Sequence, residues 1–244
     1  NDTGTSATDN LTANAKPVLT GTGEPSSTVT VTVTPSSGGA LTYTATTDAS
    51  GNWSIDTGTA TPASGTMPAA GLPDGNVALK VVSTDAAGNS TTATGSFTED
   101  HTAPAATIGL KHDAANDTGA SATDNLTANA KPILVGTGEA NSTVTITVTP
   151  ASGAPITYTA TTDASGNWSV DTSSATPSSG TLPASGLVDG SVGLKVVSTD
   201  AAGNSTTATS SFVEDHTAPT ASIGLKHDAA NDTGTSATDN LTAN

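Results

Sequence analysis

The chain contains no cysteine, so neither a disulfide framework nor a thiolate metal site is available to it. Aromatic residues are nearly as scarce, at two Trp, two Tyr and two Phe in 244 residues. A core built with so few large side chains is thin for this length, and a further source of stability is expected. Basic residues number 6 against 22 acids, for a formal charge of −16. That balance excludes nucleic acid and anionic membrane as partners, because both demand a basic surface. No apolar run reaches the length of a membrane-spanning helix, and no signal peptide or lipidation motif is present, so direct membrane insertion is not expected. Catalysis has little to work with. The histidines (His101, His112, His216 and His227) lie in or beside one recurring linker, and serine is too abundant for any one to stand out as a nucleophile. The expectation is a protein that is not an enzyme.

What the sequence does contain is repetition. Asn1 realigns with Asn116 and Asn231, a period of 115 residues, with about four-fifths of positions identical between the two full copies. A period this long is a whole domain rather than a solenoid turn. The division expected is 1–100, a repeat lacking its first strand; 101–215, a complete repeat; and 216–244, the start of the next.

Within the complete repeat, short runs rich in Thr, Val and Ile are separated by turn strings. They are 103–110, 131–138, 142–149, 155–162, 166–170, 191–199 and 205–213, which makes seven strands. Val144, Ile146 and Val148 alternate with Thr143, Thr145 and Thr147, the pattern of a strand with one buried and one wet face. No segment carries a helical apolar stripe. Seven antiparallel strands in about 115 residues fit an all-β, immunoglobulin-like sandwich, arranged in tandem and end to end. The Thr row of "TVTVTVTP" (28–35) is read as one such alternating strand and not as an ice-ordering face, which needs many parallel rows.

Against this background the string "HDAANDTGASATDN" (112–125) concentrates oxygen donors: Asp113, Asn116, Asp117, Asp124 and Asn125, with Gly119 letting the backbone turn. Calcium takes six to eight hard oxygens from a flexible loop. The spacing is not that of an EF-hand, and zinc is disfavoured by the lack of Cys. A solvated loop of Asx-turns is the competing reading. The strings "TDAAGN" (84–89 and 199–204) are tight turns between strands, and Asp85 or Asp200 either caps the turn or contributes to a shared site at the joint. The linker acids Glu99 and Asp100, and their copies Glu214 and Asp215, come one strand later.

"NDTGASATDNLTANAKPILVGTGEANSTVTITV", with "TTDASGNWSV", "LVDGSVGLKVVSTDAAGNST" and the linker "EDHTAP", resembles the bacterial Ig-like tandem repeats, or extender domains, of giant type-I-secreted RTX adhesins. The resemblance covers each repeat end to end and departs at "GLKHDAAND", where Lys111 and His112 enter an otherwise acidic segment. It implies a calcium-dependent spacer on the bacterial cell surface, secreted by the type I route, in adhesion and biofilm. It also implies Ca2+ as the cofactor and the neighbouring repeats of the same chain as partners, in a monomeric rod. Metal ligands are then expected among Asp113, Asn116, Asp117, Asp124 and Asn125, and among Asp2, Asp9, Asp228, Asp232 and Asp239 in the other copies of the loop. Asp85, Glu99, Asp100, Asp200, Glu214 and Asp215 are expected at the joints. One ion at the first joint would draw on Asp85, Glu99 and Asp100 together with Asp113, Asp117 and Asp124 of the following loop. The alternative function is a repeat that itself grips a glycan or host surface protein, with the long polar segment 172–190 as the first place to look.

Overall fold

The computed structural model describes residues 2–224, 226 and 231, and among these there is no helix. The first repeat holds β1 (Leu11–Thr12), β2 (Val18–Thr22), β3 (Thr28–Thr34), β4 (Leu41–Thr46), β5 (Asn52–Asp56), β6 (Gly75–Thr84) and β7 (Ser90–Glu99). The second holds β8 (Thr107–Leu110), β9 (Leu126–Thr127), β10 (Ile133–Thr137), β11 (Thr143–Thr149), β12 (Ile156–Thr161), β13 (Asn167–Asp171), β14 (Gly190–Thr199) and β15 (Ser205–Glu214). Each repeat is a sandwich of two sheets. In the second, β13-β10-β8 faces β12-β11-β14-β15-β9; in the first, β2-β5 faces β1-β7-β6-β3-β4.

The alternation that marked the strands also makes the core. Val29, Val31 and Val33 of β3 are fully buried while the Thr residues between them face outward, and Val144, Ile146 and Val148 repeat the arrangement in β11. Each such burial stabilises the fold by roughly 1.5–3 kcal/mol. Trp168 shares one core cluster with Tyr158, Leu134 and Phe212, and Trp53 and Tyr43 sit in its counterpart. The indole N–H groups of Trp168 and Trp53 donate to the Thr137 and Thr22 carbonyls, which satisfies the polar tip of an otherwise buried ring.

Two expectations need correction. The acidic loop, expected to run over 113–130, is not loop throughout, because Leu126–Thr127 forms an eighth strand that runs parallel to β15, with Val213 opposite Leu126 and Glu214 opposite Thr127. Two residues without a clear alternation carry no strand signal of their own, and pairing with β15 creates the element. Glu99 and Glu214 are likewise not linker residues: each is the last residue of a long strand and faces inward.

The segment 172–190 is an ordered crossover from β13 to β14. Ser179 bridges to Thr157 on edge strand β12, Leu187 is buried, and its amide donates to Ala130 at the tail of the acidic loop.

Candidate cation site

Period-two alternation points Phe212 and Glu214 to the same inward face of β15, and Phe97 and Glu99 likewise on β7. Glu99 and Glu214 are both 0% exposed, and neither carboxylate oxygen of either residue has a hydrogen-bond partner. Burial, with the charges of Asp74 and Asp100 adding to it, pushes Glu99 up to about 7. Burial also pushes Glu214 up to about 7, against the opposing influence of His216. A buried carboxylate without donors is costly, so the fold places acceptor oxygens where only a proton or a cation can satisfy them.

Asp117 is 1% exposed and is the second member of this set. Its Oδ2 lies 2.7 Å from His112 Nδ1 and accepts the Asn125 amide at 3.3 Å, whereas Oδ1 has no partner. Burial pushes this carboxyl upward, but the hydrogen bonds from His112 and Asn125 outweigh it and hold it below the ordinary value. The Asn125 carbonyl in turn accepts the Val213 amide, so hydrogen bonds through Asn125 tie Asp117 to the strand end that carries Glu214. The first repeat is built the same way. Asp2 Oδ2 accepts the Asn10 amide, the Asn10 carbonyl accepts the Thr98 amide beside Glu99, and Asp2 Oδ1 is buried without a partner. Asn10 and Asn125 reach this pose at φ 59° and 60°, a region that Asn tolerates better than most residues.

Other expected ligands are already occupied. Asp113 Oδ1 accepts the Ala115 and Asn116 amides and the Asn116 side-chain amide, while Oδ2 pairs with Lys111 Nζ at 2.9 Å. These contacts, led by Lys111, hold Asp113 down to about 2. Asn116 Oδ1 accepts the Ile133 amide, so the Asp113–Asn116 pair staples the loop to β10. Asp9 and Asp124 are exposed and accept the amides two residues on, and Asp124 also acts on Asp117 through a side-chain hydrogen bond. Asp228, Asp232 and Asp239 lie outside the described residues.

The grouping expected at the joint is overturned by strand direction. β8 runs from the end where the chain enters the repeat to the end where it leaves, so the acidic loop after it lies at the leaving end, next to Glu214. The β14–β15 turn, with Asp200, lies at the entering end. Asp85 therefore sits at the far end of the first repeat, and Asp113, Asp117 and Asp124 at the far end of the second. The first joint instead brings together the loop of the preceding repeat, with Asp2 and Asp9, its own Glu99 and Asp100, and Asp200 of the following repeat. The Asn204 side-chain amide donates to the Asp100 carbonyl at 2.8 Å, Thr3 Oγ1 to the Ala202 carbonyl at 2.5 Å, and the Thr5 amide to the Ala201 carbonyl at 3.4 Å. Gly4, at φ 86°, is covered so closely that a Cβ there would meet the Ala201 carbonyl oxygen at 1.9 Å. Its counterpart Gly119 meets nothing within 4 Å.

Asp74 and Asp189 were not anticipated. Each accepts the amide and side chain of the His-Thr pair after the last strand, with His101 Nδ1 at 2.6 Å from Asp74 and His216 Nδ1 at 2.6 Å from Asp189. His101 and His216 also stand 4.0 and 3.6 Å from the buried Glu99 and Glu214, beyond hydrogen-bonding reach. The available signal was the "DG" opening of the sixth strand, which reads as ordinary turn chemistry. Among the described residues no three acidic or imidazole side chains converge as a ready cage. The orphaned oxygens of Asp2 and Glu99, and of Asp117 and Glu214, nonetheless fit a hard cation, which readily completes its shell with carbonyls and water.

Comparison with curated proteins finds no match. Among solved structures, a tetra-tandem repeat in the extending region of a large adhesion protein is 24% identical, with 88% of this chain and 48% of that one covered and a TM-score of 0.39. A Ca2+-stabilized adhesin that helps an Antarctic bacterium reach out and bind ice is 26% identical, covering 88% and 47%, with a TM-score of 0.38. A 1.5-MDa bacterial ice-binding adhesin studied for host cell surface retention is 21% identical, covering 87% and 62%, with a TM-score of 0.42. The chain thus spans about half the length of the first two. The family model for the bacterial Ig-like domain matches residues 1–101 and again 102–216. The chain belongs to the bacterial Ig-like domain family.

Proposed function

We propose that the chain is a pair of extender repeats of a large bacterial surface adhesin, stiffened by calcium, which hold a terminal ligand-binding domain away from the cell. The observation that carries this reading is the set of buried, unpartnered carboxylate oxygens at the leaving end of each repeat: Asp2 and Glu99 in the first, Asp117 and Glu214 in the second. These residues would hold the ion, with Asp9 or Asp124 beside them, and with Asp200 supplied by the next repeat at the joint. Calcium supplies the positive charge that makes their burial favourable. For a dissociation constant near 10⁻⁴ M, 10 mM calcium adds roughly 2.7 kcal/mol of stability per site. Cell-surface location and export through type I secretion belong to the same proposal and follow from the resemblance of the repeats.

The rival reading, a repeat that grips a glycan or host protein directly, is disfavoured by the aromatics. Trp53, Trp168, Tyr43, Tyr158 and Phe212 are all buried and Phe97 is half-buried, so no pair of exposed aromatics forms a platform of the kind sugar sites use. Calorimetric titration with calcium and with magnesium tests the proposal. Saturable binding of calcium, lost in Asp117→Ala and retained in Asp163→Ala, is the expected result. Asp163 is the contrast because its Oδ1 is committed to the Ser165 and Asn167 amides in an ordinary turn. Absence of calcium binding, or equal loss in both variants, would remove the mechanism.

A further inference from the structure

Eight Asn-x-Ser/Thr strings, the pattern that an acceptor of N-linked sugar must carry, lie wholly within the described residues. A chain this rich in Asn, Ser and Thr produces such strings by composition alone, so the structure has to decide which of them is chemically available. An acceptor needs a side-chain amide free to react and, two residues on, a hydroxyl that a transferase can reach. In five strings the amide is already committed. Asn52, Asn89, Asn167 and Asn204 each donate it to the aspartate four residues earlier, and Asn116 donates to Asp113 from a buried position. In two more the hydroxyl is out of reach. Thr12, after Asn10, and Thr127, after Asn125, are 3% and 0% exposed, and each Oγ1 accepts the amide two residues on.

The remaining string, Asn141-Ser142-Thr143, meets both requirements. Asn141 lies in the turn between β10 and β11, is exposed, and has no partner for its side-chain amide among the described residues. Thr143 is exposed at the start of β11. The turn that presents them is pinned. The Asn141 backbone amide donates to the Asp163 carbonyl at 3.1 Å, the Ser142 amide to Thr162 Oγ1 at 2.8 Å, and Ser142 Oγ to the Glu139 carbonyl at 2.7 Å. Asn141 holds φ 54°, but its counterpart Ser26 holds φ 57° in the first repeat, so the backbone does not demand Asn there. The Glu139 amide donates to Ser198 Oγ, two residues before Asp200, which puts this turn at the entering end of the second repeat. Asn141 is therefore exposed with the preceding repeat in place.

We infer that Asn141 is an N-linked glycosylation site whose substrate is a sugar activated as a glycosyl diphosphate. The amide nitrogen attacks the anomeric carbon, an N–C bond forms, the carbon–oxygen bond to the diphosphate breaks, and one amide proton passes to the transferase's base as the diphosphate leaves. Exposed turns of this kind are where a bulky hydrophilic group is added without disturbing a core. The inference rests neither on calcium nor on the extender reading.

Peptide mass spectrometry tests it in two settings. In the protein purified from the cells that produce it, the peptide containing Asn141 is expected to carry sugar, a single residue if the donor is a nucleotide sugar and a preassembled chain if it is lipid-linked. In vitro, the folded 244-residue chain is treated with a soluble N-glycosyltransferase and UDP-glucose. One hexose is expected, on Asn141, with the other seven strings bare; in urea-unfolded chain those strings are expected to gain hexose as well. Asn141→Gln and Thr143→Ala, both at exposed positions, are expected to abolish the modification of the folded chain, and Thr143→Ser to retain it. A bare Asn141 in the native protein overturns the inference. So does a folded chain that takes no hexose, or one modified equally at the strings whose amide or hydroxyl is engaged.

Discussion

At Glu214 and Glu99 a single alternation carries two opposed consequences. The inward step of the strand that buries Phe212 also buries the carboxylate two residues on, where the nearest donor is a histidine Nδ1, 3.6 Å from Glu214 and 4.0 Å from Glu99. In chelator at neutral pH, Glu214→Gln is therefore expected to raise stability by about 1–3 kcal/mol, because an unsatisfied buried charge is removed. In calcium the same change is expected to lower affinity and shrink the gain in melting temperature. A variant that loses stability in both conditions would mean the carboxylate is paired in some way the hydrogen bonds do not reveal. The pH dependence has a definite sign. A carboxyl raised from 4.5 to about 7 holds its proton more tightly folded than unfolded. Its contribution is fully present below 4.5 and is lost as pH rises through 7. The groups facing Glu99 are Asp74, Asp100 and His101, and those facing Glu214 are Asp189, Asp215 and His216. Melting temperature in chelator is expected to fall between about pH 5 and pH 8 and to hold level in calcium. A flat profile in chelator would show that these carboxyls ionise without cost to the fold.

Among the elements, β8 and β10 show how a strand's worth depends on its neighbour. Gly136 and Gly21 are equivalent, and a Cβ on either would meet the Trp ring beneath it, at 2.6 and 2.5 Å. Only at Gly136 would it also meet backbone, the Thr107 carbonyl oxygen at 2.0 Å. A side chain can turn aside, but a paired strand cannot without giving up its hydrogen bonds. Gly136→Ala is expected to destabilise the second repeat by about 1–3 kcal/mol more than Gly21→Ala destabilises the first. Single-tryptophan variants, with Trp53→Phe or Trp168→Phe, let fluorescence follow each repeat separately. Equal losses at the two glycines would indicate that the β8–β10 pairing contributes little.

For the molecule as a whole, the joint combines a few hydrogen bonds with close packing of Gly4 on the turn that carries the fully buried Ala202. Asn204 reaches the Asp100 carbonyl, and Thr3 and Thr5 reach the carbonyls of Ala202 and Ala201. A joint held by these few contacts is expected to leave the angle between the repeats adjustable. Asn204→Ala is expected to leave circular dichroism unchanged while increasing the flexibility seen by small-angle scattering, most of all in chelator. The unaltered chain in calcium is expected to be the most extended state. Identical scattering in calcium and chelator would confine any ion to single domains and remove the stiffening role.

The repeat period, the sandwich, its alternating strands and the inward Trp and Tyr were legible in the residues, because β-branched alternation and turn strings are local and each repeat states them twice. The acidic loop was legible as a concentration of oxygens for the same reason. Which of those oxygens are left unsatisfied was not. Asp113 and Asp117 stand four residues apart in one string, yet Asp113 is consumed by Lys111 and Asn116 while Asp117 keeps a buried bare oxygen, and only packing distinguishes them. The joint was misassigned because adjacency along the chain places Glu99 nearest to Asp113. The direction of β8, and the parallel pairing of β9 with β15, carry that loop to the opposite end of the sandwich. The end of a domain at which a loop lies depends on strand direction and pairing summed over the whole sheet. No local pattern reports that sum, and so the tertiary structure alone set Asp200, rather than Asp85, beside Asp100.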